Sequence, residues 1–230
     1  MKHLLILLFS ITAFAQQADT LQTRFFSLTP TPRRIDRVNG LAIGFGGSLS
    51  NTPTMFNGVN IEVNPLTPLI LIFLDPAKIL VADNEKVMRT VNGLHLAAGG
   101  FMDGDDFNGL GISVFSITNK TNGLTISALY NVSRQLHGVH ISGLSNSAHI
   151  EGSGLFIAAL NNGKKFSGVQ IGGFNTAEYF KGVSIGIANT CTGEMNGLQI
   201  GLINKAKKCN GLQIGLLNQN DRGTMPFINW

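Results

Sequence analysis

The sequence predicts an all-β repeat fold, a β-solenoid of about 11 coils of 14–16 residues, and three observations carry that prediction. First, the phrase Asn-Gly-Leu-Gln-Ile-Gly-Leu occurs twice verbatim, at Asn196–Leu202 and Asn210–Leu216. Second, weaker copies align on Gly40, Gly58, Gly93, Gly109, Gly123, Gly138, Gly154, Gly168, Gly182, Gly197 and Gly211, and from Gly93 onward they follow at 14–16 residues without a gap. A fixed period of this kind decides the architecture before residue propensities do. Third, 28 glycines and a charged fraction of 13% suit closely stacked backbone better than a helical domain.

Taken in order along the chain, residues 1–15 read as a secretory signal peptide. Lys2 precedes an apolar run from Leu4 to Ala13, and Ala13-Phe14-Ala15 has the small-x-small cleavage pattern. The run is well short of the roughly 18–20 residues that span a bilayer. Residues 16–37, with Arg33, Arg34 and Arg37, read as a flexible lead-in. Residues 38–230 form one repeat domain, interrupted at 64–90 by an insertion. The apolar stretch Leu69–Phe73 within it is expected to cover an open coil end or side, with a membrane-touching or partner-docking loop as the alternative. The tail Met225-Pro226-Phe227-Ile228-Asn229-Trp230 breaks the pattern and reads as a C-terminal cap.

Within one repeat, numbered from its Gly as position 0, Leu or Val stands at +1 and Ile at +3 in all copies but that of Leu96. Position +4 is small except at Glu62, +6 is mostly Leu, Phe or Ile, and Asn follows at +7 or +8. A further apolar residue stands at −2. Bulky groups at −2, +1, +3 and +6 are expected to point inward, with the +2 column facing outward. Asn-Gly at −1 and 0 marks one corner, since both residues tolerate positive φ. The small residue at +4 and the Asn after it mark a second corner. The repeated Asn is expected to stack coil on coil as a hydrogen-bonded ladder. Two other architectures fit the period. One is an outer-membrane up-and-down β-barrel with one strand per repeat, against which the short apolar run and the two Tyr and one Trp weigh. The other is a meander of hairpins. Cys191 and Cys209 fall in different apolar columns and read as buried thiols, with a disulfide as the alternative.

Gly-Leu-Gln-Ile-Gly-Leu-x-Asn repeats, together with the apolar leader and the Pro226-Phe227-Ile228-Asn229-Trp230 ending, resemble the bacterial surface-repeat proteins. The resemblance covers about residues 38–230 and is strongest from Phe107 onward. It implies a place in the Gram-negative cell envelope, and it brings no catalytic motif.

The candidate chemistry is sparse. His137, His140 and His149, with His95 in the same column as His140, read as surface histidines, not zinc ligands. Asp103-Gly104-Asp105-Asp106 has the carboxylates of a calcium loop without its twelve-residue pattern, and reads as an exposed turn. Gly44-Phe45-Gly46-Gly47 lacks the Lys-Ser or Lys-Thr of a phosphate loop. No catalytic group, cofactor or metal is expected, nor a small-molecule substrate. Nucleic acid is not expected either, since the basic residues are not interleaved with stacking aromatics. The formal charge is +4, and residues 161–230 hold most of the excess. Lys164, Lys165, Lys181, Lys205, Lys207 and Lys208 are therefore expected to form a positive strip for an anionic envelope polymer or the outer membrane. The expected function is that of an exported protein of the cell envelope, outer membrane, cell surface or periplasm. It would have a structural or adhesive role and no catalysis; the alternative is an outer-membrane channel or transport barrel.

Overall fold

A computed structural model of the protein describes residues 22–48, 53–65, 67, 87, 89–101 and 105–230. The leader, most of the 64–90 insertion, Asp103 and Gly104 lie outside the described residues. The chain runs β1 (Gln22–Thr31), β2 (Ile35–Ser48), β3 (Thr54–Val63), β4 (Arg89–Phe101), β5 (Asp106–Ser142), β6 (Ser145–Asn220) and β7 (Gly223–Asn229). These form one sheet in sequence order, parallel from β1 to β6 and closed by an antiparallel β7.

The register is set by the repeat glycines: Gly40 pairs with Gly58, Gly58 with Gly93, Gly93 with Gly109 and Gly138 with Gly154. A chain that pairs with itself in parallel at this period must close one coil per repeat, so the fold is a β-solenoid. Parallel pairing is incompatible with the up-and-down barrel and with the hairpin meander, both of which are antiparallel. Counted by its separate strands the solenoid has about six turns, against the 11 coils expected. The difference follows the strands: β5 runs through three repeat glycines and β6 through five without a break. The lead-in is also more ordered than expected, because β1 stacks on β2 with Phe26 opposite Leu41 and Leu28 opposite Ile43.

Glycine at position 0 answers two demands. Gly40 through Gly197 hold φ between 108° and 150° at this position, a region that residues with a Cβ rarely enter. A Cβ there would also collide with backbone; at Gly182, for example, it would meet the carbonyl oxygen of Gly168.

The core differs from the expected one. Only the −2 column of the four bulky columns is buried as a set, as at Phe56, Phe107, Leu136, Phe166, Phe180 and Met195. The +3 isoleucines face outward: Ile112, Ile126, Ile171, Ile185 and Ile214 are 38–44% exposed. The +2 column, expected outside, is inside, with His95, His140, Gln170, Gln199 and Gln213 at 0–2% exposure. Strand alternation gives the reason. Positions −2, 0 and +2 share one face and +1 and +3 share the other, and with glycine at 0 the inward face fits a narrow lumen. In two coils a phenylalanine on one side of the glycine is matched by a glycine on the other. Phe107 at −2 faces Gly111 at +2, whereas in the coil of Gly154 the sizes are exchanged and Phe156 fills the space beside Gly152. Phe156 packs edge-on against Phe166 at 4.7 Å, and Phe166 stacks on Phe180 at 5.9 Å.

The asparagine ladder forms as expected. Asn131, Asn146, Asn161, Asn175, Asn189, Asn204 and Asn218 are fully or almost fully buried. Each of the first six donates Nδ2 to Oδ1 of the next at 2.8–3.1 Å. The same Nδ2 groups reach +3 carbonyls, as from Asn161 to Ile171 O at 3.0 Å and from Asn175 to Ile185 O at 2.9 Å. Inward side chains thus satisfy backbone at the corner, the requirement that any buried turn must meet. At the far end Ile228 pairs with Ile214 and Asn229 with Gln213, and Asn229 is 1% exposed. The tail caps the stack as read from sequence.

Candidate functional site

Each closed coil has two outward runs, one from 0 to +6 and one from +7 to the next −1. They differ completely in charge. From the coil of Gly93 onward the 0-to-+6 runs contain no Asp, Glu, Lys or Arg. Every lysine of the candidate strip lies on the other run, and all six are exposed.

The strip is only partly continuous. The column of Lys164 continues through Glu178 and Gly193 before reaching Lys207, and that of Lys165 through Tyr179 and Glu194 before Lys208. Lys165 and Lys181 come together at an open groove of about 570 Å³, lined also by Glu151, Ser167, Tyr179, Glu194 and Asn196. Lys208 lies 3.5 Å from Glu194, which also accepts from Asn210 Nδ2 at 2.8 Å. Both side chains of that ion pair are well exposed, so it contributes little to stability. Lys164, Lys165 and Lys181 therefore make one basic group and Lys205, Lys207 and Lys208 a second, with carboxylates between them.

The acidic cluster is not the exposed turn expected. Asp105 is 1% exposed and accepts from Arg89 Nε at 2.6 Å, while Arg89 Nη1 reaches Glu62 Oε1, also at 2.6 Å. Burial works against the Arg89 charge, but Asp105 and Glu62 outweigh it and raise its pKa above the usual range. Asn60 Nδ2 donates to Glu62 Oε1 at 3.0 Å, and His95 Nε2 lies 3.7 Å from Glu62 Oε2. This is a buried ion cluster between coils. Asp106 is bound separately, by Asn119 Nδ2 at 2.8 Å.

His95 and His140 are not the surface groups expected, whereas His137 and His149 are only half-buried. His140 is fully buried, with Nδ1 2.7 Å from Thr125 Oγ1 and its ring edge-on to Phe156 at 5.3 Å. Burial lowers its pKa to about 4. His95 is also lowered to about 4, chiefly by burial, against the attraction of Glu62 and with the repulsion of Arg89. Cys191 and Cys209 are buried free thiols, and burial raises the pKa of each. Among the described residues no three His, Cys, Asp or Glu side chains are placed to hold a metal ion. The interior titratable groups are taken up in packing, leaving the exterior to interact.

The exterior that sequence reading missed is the apolar run. The +3 column forms a ladder from Leu28 through Ile43, Ile61 and Ile112 to Ile214 and Ile228. Beside it the small +4 column of Gly172, Gly186 and Gly201 makes a trench between Ile171, Ile185 and Ile200 on one side and Ile187 and Leu202 on the other, an open groove of about 560 Å³. The signal was available: charge is missing from one run and abundant on the other, and a lone Phe156 stands in a +2 column otherwise of small or polar residues.

Fold and exterior together define the class: an all-β solenoid repeat protein with an interior of apolar columns and hydrogen-bonded polar ladders and two unlike outer faces. The chain matches no protein-family model, no curated protein and no solved structure.

Proposed function

We propose that this chain is an exported cell-envelope repeat protein whose role is structural or adhesive, not catalytic. The observation that carries the reading is the use made of the interior. Its amides, hydroxyls, imidazoles and ions bind the coils to one another, as in the Asn131–Asn218 ladder and the Arg89 cluster, and recognition is left to long outer faces. The leader at 1–15 and the resemblance to surface-repeat proteins support the location. The channel alternative needs an open lumen, and the packed Phe, Gln and Asn columns weigh against it.

On this reading an anionic envelope polymer meets the two basic groups of the charged run. Charge reversal of Lys164, Lys165, Lys207 and Lys208 together is expected to release the protein from envelope preparations at low salt, with the difference fading as salt rises. Unchanged retention at low salt would remove the lysines from the account. Fractionation that leaves the native chain in the cytoplasm would remove the export reading altogether.

A further inference from the structure

The charged run has a counterpart in the proposed polymer, but the apolar run has none. Its dimensions are large. The +3 ladder counts thirteen rungs from Leu28 to Ile228, which at about 4.8 Å per strand makes a face roughly 55–60 Å long. Seven residues across at about 3.3 Å each make it roughly 20 Å wide. Monomeric soluble proteins rarely expose contiguous apolar patches beyond about 300–600 Å², and this face is about twice that. Ile187, Leu202 and Leu216 of the +5 column are 52–63% exposed.

Two occupants have the right size, a second copy and a lipid surface, and composition separates them. Homodimer interfaces are about 65% apolar and carry roughly ten hydrogen bonds. This face presents aliphatic side chains, glycine, alanine and the exposed Phe174, with no formal charge in nine successive coils. Its backbone donors and acceptors are used between stacked coils, as contact with hydrocarbon requires. The borders suit headgroups: Lys181 and Lys205 sit at the two edges of the run, where they meet anionic lipid. At the capped end Trp230 is 63% and Phe227 68% exposed, the aromatic type that collects at membrane interfaces. The opposite run, with its lysines and glutamates, remains in water.

We propose that the charge-free face of the solenoid lies flat on an anionic bilayer surface, with its Ile and Leu side chains in the headgroup–acyl boundary and without spanning the bilayer. The proposal gives the envelope reading its partner and rests on it for location. The face supplies adhesion to lipid, and the charged run points away, free for a polymer.

Trp230 is the chain's one tryptophan and reports directly. The purified full chain is mixed with vesicles of phosphatidylethanolamine and phosphatidylglycerol, and sedimentation and Trp230 emission are followed. The expected result is co-sedimentation, a blue shift, and quenching by brominated acyl chains. The variant Ile187→Asp/Leu202→Asp/Leu216→Asp is expected to lose roughly tenfold or more in partitioning with an unchanged circular dichroism spectrum. The leader is common to both chains, so the difference reads the face. If the triple variant unfolds, Leu216→Asp alone, at the most exposed of the three sites, gives the same comparison. Equal partitioning of variant and native chain overturns the proposal. So does a lipid-free dimer that the variant dissociates, which would put a second copy on the face. Vesicle binding by a protein found in the cytoplasm would sink the envelope reading and leave the face intact.

Discussion

The two ends of the stack join the interiors of their coils by different means, while a more exposed amide ladder through Asn39, Asn57, Asn92, Asn108 and Asn122 also links the first coils. From Asn131 to Asn218 every coil contributes the same buried amide, and each step adds one Asn–Asn bond and in most cases one bond to backbone. Between β3 and β5 the interior holds Glu62, Arg89 and Asp105 instead, beside the insertion and a register shift between Ala97 and Gly100. The ladder is modular, since each member needs only its neighbours and the device extends with the repeat. The ion cluster is a single knot, where three charges are tolerable only together. A repeat protein can lengthen through the first device, but it has to close irregular coils with the second.

That contrast is broken most severely at Arg89. Arg89→Met leaves two carboxylates buried without their cation, and a cost of about 3–5 kcal/mol is expected in denaturant unfolding. Glu62→Gln and Asp105→Asn added to it should recover part of the loss. A cost below that of a ladder residue would mean that the cluster is not the knot described. Next in size, Asn175→Leu removes the bond to Asn189 Oδ1 and the donor to Ile185 O, and about 1–3 kcal/mol is expected. The loss should be similar at Asn161, because the ladder is modular; a tenfold spread in equilibrium constant between the two sites would contradict that.

A pH series sharpens the same comparison. His140 is neutral in the fold, with its pKa lowered to about 4 by burial, whereas the unfolded chain takes up the proton near pH 6.5. Between those values the unfolded state binds more protons, so stability falls as pH falls from about 6.5 towards 4. A shift of this size corresponds to roughly 3–4 kcal/mol for His140. His140→Gln, which restores the side chain found at Gln170, Gln199 and Gln213, is expected to flatten that slope. His95→Gln should do so less cleanly, because Glu62 stands 3.7 Å away and would welcome the charge. An unaltered acid slope in His140→Gln would place the proton elsewhere.

The period, the parallel stacking glycines, the asparagine ladder and the buried Cys191 and Cys209 were legible because each follows from repetition alone. Facing was not legible. Leu and Ile at +1 and +3 were assigned inward because apolar side chains usually are, but position 0 lacks a side chain, and alternation then puts −2 and +2 in the lumen. A column of Gln, Thr, Ser and His reads as solvent-exposed until the amides bond one another, as Gln213 Nε2 does to Gln199 Oε1 at 2.8 Å. The Arg89 cluster was illegible for a different reason. Its members are 27 and 16 residues apart in sequence, and no periodicity joins them. For the lysines, composition gave the sign of the strip and the columns gave its gaps, at Glu178 and Gly193.

The central claim is that the coil is apolar outside along its +3 column and polar inside along +2, and thiol labelling in lipid-free solution tests it most directly. Ile185→Cys and Gln199→Cys are compared with a small maleimide, with native Cys191 and Cys209, buried and raised in pKa, as the slow reference. The account predicts fast labelling at 185 and protection at 199 by roughly a hundredfold, since access to the lumen requires local opening. Fast labelling at 199 with protection at 185 would turn the coil inside out and contradict it.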